Sequence, residues 1–373
     1  MDERLRRWRL VLGESAESTL PELAREDQKL DQVLATLYDA ERTGGLDGSA
    51  PGVARWLGDI RAYFPTSVVR VMQRDAMDRL GLQQLLLEPE LLSEVEPDIH
   101  LVTTLVSLSR VIPARTRETA RHVVRQVVEE IERRLAEPMR QAVYGALSRS
   151  LRNPRPRFRE IDWQRTVRAN LKHYLPEKRT VIPERLVGYG RKRQRLRDVI
   201  VAIDQSGSMA ESVVYASVLG AVMASLPAIS TRLVVFDTSV ADLTEELHDP
   251  VDLLFGVQLG GGTDIGGAVE FCASLVTRPT DTVMVLISDL YEGGLEERLL
   301  HRVAELVAAG VRFVVLLALS DSGHPAYDHA IAAQLVNLGV PAFACTPDLF
   351  PELIAAALSD RDLQAWAAAH DLA

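Results

Sequence analysis

Residues 199–209 read Val-Ile-Val-Ala-Ile-Asp-Gln-Ser-Gly-Ser-Met, an apolar run that passes directly into a polar loop. A short run of β-branched residues that ends in a carboxylate, hydroxyls and a glycine is typical of a buried strand opening into a loop. Asp204, Ser206 and Ser208 are two residues apart. A loop that curls around one point can therefore direct all three oxygens inward, with Gly207 relieving backbone crowding. Such hard oxygen donors suit a magnesium-like ion that keeps some of its waters.

This loop resembles the DxSxS signature of the von Willebrand factor type A (VWA) domain. In that family a distant threonine and a distant aspartate complete a metal-ion-dependent adhesion site. Thr263 follows the triple glycine of residues 260–262, and Asp289 comes after a second apolar run at residues 283–287. The three matches occur in the family's order, which makes the resemblance much more specific than a lone DxSxS.

The resemblance implies a divalent-metal site with an open position. Ser206, Ser208 and Thr263 would be direct hydroxyl ligands of Mg²⁺ (or Mn²⁺), and Asp204 and Asp289 would act directly or through water. A Glu or Asp of a partner protein would fill the remaining coordination position. The metal would then bridge two proteins.

From residue 198 onward, strand-like and helix-like segments alternate along the chain. The predicted strands are 199–203, 233–236, 282–287, 312–319 and 342–345, and the predicted helices are 212–226, 251–257, 265–276, 295–308, 330–338 and 349–358. This alternation predicts an α/β fold, a doubly wound, mainly parallel, Rossmann-like sheet with helices on both faces. Ligand sites in such folds lie beyond the carboxyl ends of the strands, where Asp204 and Asp289 fall.

Residues 1–147 are predicted to form an all-α N-terminal domain, with helices over 20–37, 53–60, 68–87 and 116–135. In the last helix Val123, Val127, Ile131 and Leu135 form one apolar stripe. The stripe lasts about three heptads, which favours packing within the domain over a coiled-coil arm. A VWA domain with C-terminal helices would then occupy residues 198–373.

Residues 148–197 are predicted to connect the two domains as a basic Arg/Pro-rich segment, with a short helix over 163–174 and an edge strand over 180–183. Arg191, Lys192, Arg193 and Arg195 form a dense basic run. The segment could bind a phosphate-rich ligand, or it could be a solvated linker that docks on acidic protein surface. The linker is favoured because few aromatic side chains interleave with the charges.

The composition is that of an ordinary globular protein, with 47% hydrophobic and 25% charged residues. A net charge of −10 argues against nucleic-acid binding by the chain as a whole. Cys272 and Cys345 are expected to be reduced core residues. No secretory signal pattern is present at the N-terminus, and the uncharged residues 213–229 predict a buried helix, so a cytoplasmic protein without a membrane span is expected.

The helix over 212–226 is apolar nearly all round, so its outer face should be covered by the N-terminal helical domain or by a partner. Its exposed-face candidates are Tyr215, Val218 and Val222. Three further carboxylates, Asp237, Asp264 and Asp321, lie near strand ends or site loops. Turn preferences make each of them a loop residue rather than a ligand.

Known catalytic patterns are not found in the sequence. An aspartyl phosphotransferase needs a second acid where Ser206 stands, and a serine hydrolase elbow needs glycine where Asp204 stands. The motifs GxxxxGK[ST] and HExxH are missing, as is GxGxxG after a strand. We therefore expect no catalytic residues and no enzyme, although a metal with a free position can activate water.

A weaker resemblance extends upstream, through Asp162-Trp163-Gln164-Arg165-Thr166 and Ile182-Pro183-Glu184-Arg185-Leu186. The layout is similar to bacterial intracellular VWA proteins of the CoxE-like type, which are associated with MoxR-type AAA+ ATPases. This implies an adaptor in protein remodelling, complex assembly or metal-cofactor insertion, with nucleotide chemistry left to the partner. Two alternatives stay open: an RNA-binding VWA protein that uses residues 149–197, and a metal-dependent hydrolase.

Overall fold

The structure is a computed structural model that describes most of the 373 residues. The described residues are 5, 9–10, 23–38, 50–80, 86, 89–93, 95–150, 152–153, 158, 161–189, 197–256, 262–291, 293, 296–321, 326–359 and 361–372. The chain divides into two compact units, Met1–Glu129 and Glu130–Ala373.

The first unit is helical in its described part. Its helices are α1 (Arg25–Tyr38), α2 (Ala50–Tyr63), α3 (Thr66–Leu80), the single turn α4 (Pro89–Leu92), α5 (Ile99–Ser107) and the start of α6 (Ala114–Ser150). Ile60, Leu101 and Leu105 are fully buried in it. Helix α5 begins at Asp98, whose side chain accepts a hydrogen bond from the Leu101 amide at 2.7 Å, as N-cap residues do.

Helix α6 is longer than the sequence predicts. It runs through Pro138, although an internal proline removes a backbone hydrogen bond and costs about 3 kcal/mol. Beyond Leu135 the buried stripe continues at Met139, Val143 and Ala146. Burial of these side chains offsets the cost of the proline. The predicted stripe is buried throughout, which confirms packing rather than a free coiled-coil arm.

The second unit is built on a six-stranded sheet. Its strands are β5 (Arg197–Asp204), β6 (Ile229–Phe236), β7 (Val240–Asp242), β8 (Thr282–Ile287), β9 (Arg312–Leu319) and β10 (Ala342–Cys345). Their order across the sheet is β10-β9-β8-β5-β6-β7. All neighbouring strands are parallel except β6 and β7. The predicted α/β fold with a mainly parallel sheet is confirmed.

Helices connect the strands of this sheet. They are α8 (Ala210–Ala224), α9 (Pro250–Gly256), α10 (Ile265–Leu275), α11 (Glu296–Ala308), α12 (His329–Asn337), α13 (Phe350–Leu358) and α14 (Leu363–Ala369). The short antiparallel strand β7 was not predicted. It forms because the chain reverses through an Asp237 turn directly after β6, so pairing with β6 is local.

Helix α8 is buried on every side, as its sequence requires. Tyr215, Val218 and Val222 are all buried, so the outer face is covered as predicted, while the predicted source of the cover, the N-terminal helical domain or a partner, stays a prediction. Part of that cover comes from the same unit, through a 3₁₀ turn at Glu245–His248 and helix α9. Among the described residues one stretch, Gly207–Ala224, is long and apolar enough to cross a membrane, and 67% of it is buried inside the protein. This is the burial that a core helix shows.

The connecting segment contains one short helix and small two-stranded pairs. They are α7 (Trp163–Ala169), the pair β1 (Arg152–Asn153) with β4 (Gly188–Tyr189), and the pair β2 (Tyr174–Leu175) with β3 (Thr180–Val181). The predicted edge strand therefore pairs outside the main sheet. The dense basic run at residues 191–195 lies outside the described residues.

Candidate metal site

The candidate site lies where the central strands β5 and β8 end side by side. The two strands are parallel, and Ile203 of β5 is level with Ile287 of β8. Asp204 and the pair Ser288-Asp289 therefore meet at the same edge of the sheet. The amide of Ser288 donates to Leu316 of β9 at 3.0 Å, which holds this end of β8 in place.

Four of the five predicted ligands form one hydrogen-bonded chain. The Ser206 amide donates to Asp204 Oδ1 at 2.8 Å, and the Ser206 and Ser208 hydroxyls are 3.2 Å apart. Ser208 Oγ then donates to Asp289 Oδ2 at 2.5 Å. The two motifs, far apart in the chain, thus converge as the sequence pattern predicts.

Ser288 is a site residue that sequence reasoning missed. Its hydroxyl donates to Asp204 Oδ2 at 2.7 Å and accepts from the Leu290 amide at 3.1 Å. The available signal was its position directly before Asp289, at the end of an apolar strand. The family signature calls for an aspartate at this point, so Asp289 and not Ser288 was predicted as a ligand.

The two carboxylates are buried without a basic partner. Asp204 and Asp289 are both buried, and no Lys, Arg or His of the described chain forms an ion pair with either. Burial raises the pKa of Asp204, the nearby Asp289 charge raises it further, and hydrogen bonds from Ser206 and Ser288 act in the opposite direction. Two buried carboxylates that lack a counter-charge are costly unless a cation joins them.

Thr263 lies on a loop that is hydrogen-bonded to the chain just after β6 and to the loop that follows β8. The amide of Asp264 donates to the Asp237 carbonyl at 2.9 Å, and Gly293 donates to the Thr263 carbonyl at 2.8 Å. The Thr263 side chain makes no hydrogen bond to either carboxylate among the described residues. The structure thus holds the Thr263 backbone beside the loop that follows Asp289, without a direct side-chain link to the other four.

The three secondary carboxylates have structural roles. Asp264 Oδ1 caps helix α10 by accepting from Gly267 at 2.8 Å, and Asp237 Oδ1 accepts from the Ser239 amide at 2.6 Å in its turn. Asp321 accepts from the Tyr215 hydroxyl at 2.7 Å. Their prediction as loop or turn residues is confirmed.

The backbone around the site corrects one expectation about glycine. A Cβ added at Gly207 would have no atom within 4 Å, so Gly207 is not needed to relieve crowding. The tight position is Gly293, where a Cβ would lie 2.7 Å from the Thr263 carbonyl oxygen. Directly after Asp289, Leu290 has a φ of 64°, a left-handed conformation that leucine rarely adopts. Such strain is concentrated at functional sites.

A cleft of about 540 Å³ opens beside the hydroxyls. Its wall includes Ser208, Asp289, Glu211, Tyr291 and Ser320. Tyr291 is exposed at this edge. The site can therefore be approached from outside by a side chain of another molecule.

The donor set fits a hard divalent cation. Adjacent oxygens around Mg²⁺ are roughly 3 Å apart, given bond lengths of 2.0–2.1 Å. The 3.2 Å between the Ser206 and Ser208 hydroxyls matches this, while the Ser208–Asp289 contact is shorter because it is a hydrogen bond from a hydroxyl to a carboxylate. No three Asp, Glu, His or Cys side chains cluster in the described part of the chain, and at this site the oxygens beside the two carboxylates are serine hydroxyls.

The parallel sheet and the DxSxS loop at its carboxyl edge together define a VWA protein. The family of VWA domain containing CoxE-like proteins matches residues 134–354, and the chain belongs to that family. It is similar to the uncharacterized protein YehP of Escherichia coli strain K12, with 38% identity over 353 residues, 92% of this chain and 93% of that protein.

Solved structures resemble the chain more distantly. A conserved hypothetical protein, BatB from Bacteroides thetaiotaomicron, is 15% identical with a TM-score of 0.35, covering 44% of this chain and 98% of that one. The RO (RSR) protein of Deinococcus radiodurans is 13% identical with a TM-score of 0.32, covering 92% and 65%. Both TM-scores are below 0.5, so neither likeness bears on function.

Proposed function

We propose that the chain is a cytoplasmic, non-enzymatic adaptor that binds a protein partner through a metal-ion-dependent adhesion site. Ser206, Ser208 and Thr263 would contribute hydroxyls to Mg²⁺ (or Mn²⁺), and Asp204 and Asp289 would contribute carboxylates directly or through water. A bound ion supplies a positive charge with an open coordination position. A Glu or Asp of the partner fills that position.

The observation that carries this proposal is the pair of buried carboxylates without a basic partner among the described residues. Three hydroxyls of the described chain surround them: Ser206, Ser208 and Ser288. A serine hydroxyl cannot neutralise a carboxylate, so a bound cation is the arrangement that best offsets the burial of both charges. The adjoining cleft gives a partner access to that cation.

The ATPase partner rests on family membership. CoxE-like VWA proteins are associated with MoxR-type AAA+ ATPases, and we propose that this chain connects such an ATPase to a client protein for remodelling, assembly or cofactor insertion. This chain carries no ATPase motif of its own. Nucleotide hydrolysis would therefore be carried out by the partner.

Two measurements test the proposal with Asp204→Ala and a matched control, Asp242→Ala. Asp242 is an exposed carboxylate on the edge strand β7, and within the described chain its side chain accepts hydrogen bonds only from the amide and hydroxyl of Thr244. Calorimetric titration with MgCl₂ should show one site in the parent and in Asp242→Ala, and none in Asp204→Ala. Pull-down of the MoxR-type ATPase should then be lost in EDTA and in Asp204→Ala. If Asp204→Ala binds Mg²⁺ and the ATPase like the parent, the proposal fails.

The same samples separate the alternatives. A metal-dependent hydrolase would turn over a phosphoester such as p-nitrophenyl phosphate in Mg²⁺ or Mn²⁺, with the activity lost on chelation. An RNA binder would bind oligonucleotides with a steep salt dependence that does not require the metal. We expect neither.

A further inference from the structure

Helix α7 exposes the side that its sequence marks as apolar. Trp163 and Val167 are four residues apart on the helix, and Leu171 lies in the 3₁₀ turn Leu171–His173 that follows it. Their exposed fractions are 48%, 41% and 58%. The neighbouring Phe158, Tyr174 and Ile182 are also exposed, and the Phe158 and Trp163 rings are in edge contact at 5.6 Å. We call these six residues the α7 face.

The inward side of α7 is polar instead. Asn170 is buried, donates to the carbonyls of Thr166 and Arg185 at 2.7 and 2.8 Å, and accepts from the amides of Glu184 and Arg185. The Thr166 hydroxyl bonds both backbone groups of Val187 at 3.0–3.1 Å. These bonds fix the orientation of the helix, so the α7 face cannot turn inward without breaking a satisfied buried network.

Exposed positive charges lie close in sequence to the residues of the α7 face. Arg168, Lys178, Arg179 and Arg185 are exposed and form no ion pair among the described residues. Residues 149–197 hold sixteen Lys and Arg against four Asp and Glu, in a chain whose net charge is −10. A partner that covers this face must match both its apolar side chains and the positive charges close to it in sequence.

We propose that the α7 face is a second protein-docking surface, which takes an acidic segment with apolar anchors from a partner protein. Val167, Leu171 and Ile182 favour protein over single-stranded nucleic acid, because aliphatic side chains offer no surface on which bases stack. The exposed aromatic rings suit the buried centre of a protein interface, and the arginines suit its charged edge. This surface contains none of the metal-site residues, so docking there does not require the metal.

The test uses the full chain and an array of synthetic peptides in which Asp or Glu flank Leu, Ile, Phe or Trp. Two matched arrays replace the acids by Asn and Gln, or the apolar residues by Ser. We expect binding to the first array alone. Affinity for the best peptide should fall about tenfold or more in the Val167→Ser/Leu171→Ser double variant. It should remain at the parent level in Val336→Ser, since Val336 has a similar exposure of 44% on helix α12.

Further measurements show whether any binding depends on the positive charges, on the metal site, on nucleic acid or on a second copy of the chain. Arg168→Gln/Arg179→Gln should weaken binding most at low salt, while EDTA and Asp204→Ala should leave it unchanged. The proposal is overturned if no peptide binds, if the double variant binds as well as the parent, or if a fluorescent oligouridine binds through these residues instead. Sedimentation showing a dimer that the double variant dissociates would also overturn it, because the occupant would then be a second copy.

Discussion

Ser288 donates a hydrogen bond from its Oγ to Asp204 Oδ2 at 2.7 Å, across two neighbouring strands of the sheet. The other carboxylate oxygen of Asp204 accepts from the Ser206 amide, and the hydroxyls of Ser206 and Ser208 connect this loop to Asp289. Asp204 is therefore held from two directions. One oxygen faces the DxSxS loop and the other faces the end of β8.

Replacing Ser288 by alanine should destabilise the protein and loosen the site. The buried Asp204 oxygen loses its side-chain donor, which costs about 2 kcal/mol for a charged acceptor. Urea unfolding in EDTA measures the loss. Ser225→Ala is the control, since its hydroxyl bonds only the neighbouring Val222 carbonyl. Equal stability of the two variants would show that this bond is unimportant.

Replacing Asp289 by asparagine should separate metal binding from stability. Asparagine keeps an oxygen that accepts from Ser208 and removes one of two uncompensated buried charges. In EDTA the variant should therefore unfold with a free energy no lower than that of the parent. Saturating Mg²⁺ should stabilise the parent alone, by about 2.7 kcal/mol at a hundredfold excess over Kd. A parent protein that Mg²⁺ does not stabilise would contradict the metal site.

Replacing Gly293 by alanine should impair Mg²⁺ binding more than replacing Gly207. The new methyl group would lie 2.7 Å from the Thr263 carbonyl, so the loop that holds Thr263 must move. A displaced ligand loop typically lowers metal affinity, here by about tenfold. At Gly207 the methyl group meets nothing within 4 Å. Calorimetric titration of both variants checks the order, and a larger loss in Gly207→Ala would show that the DxSxS glycine is the tighter position.

Replacing Tyr215 by phenylalanine should cost about 1 kcal/mol of unfolding free energy, the usual worth of one hydrogen bond. The buried Tyr215 hydroxyl donates to Asp321, which also faces Arg134 at 4.0 Å. Burial and this carboxylate raise the pKa of Tyr215, so its hydroxyl remains a donor. Tyr144→Phe, at an exposed tyrosine of α6, should change stability by less than about 0.5 kcal/mol. Similar values for both variants would contradict the contact.

Cys272 and Cys345 should resist thiol reagents until the protein unfolds. Both are free and buried, as predicted, and burial raises the pKa of each to about 12. At pH 8 the thiolate fraction is then on the order of 10⁻⁴, and the thiolate is the reactive form. Reaction with Ellman's reagent should be absent in the native state and should reach both thiols in guanidinium chloride. Rapid native labelling would contradict their burial.

The raised pKa of the two thiols determines how their contribution to stability changes with pH. Because folding raises the thiol pKa, the unfolded chain loses these protons first as pH rises. The contribution of the two thiols to stability is therefore complete below the ordinary thiol pKa of about 8.5, and it decreases between that pH and about 12. Cys272→Ser would remove only the Cys272 share of this alkaline dependence and leave that of Cys345, which urea unfolding at several pH values can measure.

The sequence by itself determined the sheet, because parallel strands buried on both faces read as continuous apolar runs. Strands β8, β9 and β10 have the bounds that their composition predicts. The convergence of Asp204 and Asp289 followed from the same logic, since parallel strands bring their carboxyl ends to one edge. Free, buried cysteines followed from their apolar surroundings.

Tertiary structure alone decided the rest, because each remaining feature depends on contacts between residues far apart in the chain. The donor to the second oxygen of Asp204 comes from Ser288, 84 residues away, and the need for glycine falls at Gly293 rather than Gly207. Helix α7 turns its apolar side outward because Asn170 and Thr166 satisfy backbone groups of residues 184–187. Periodicity indicates which side of a helix is apolar, but only the packed chain decides whether that side is covered.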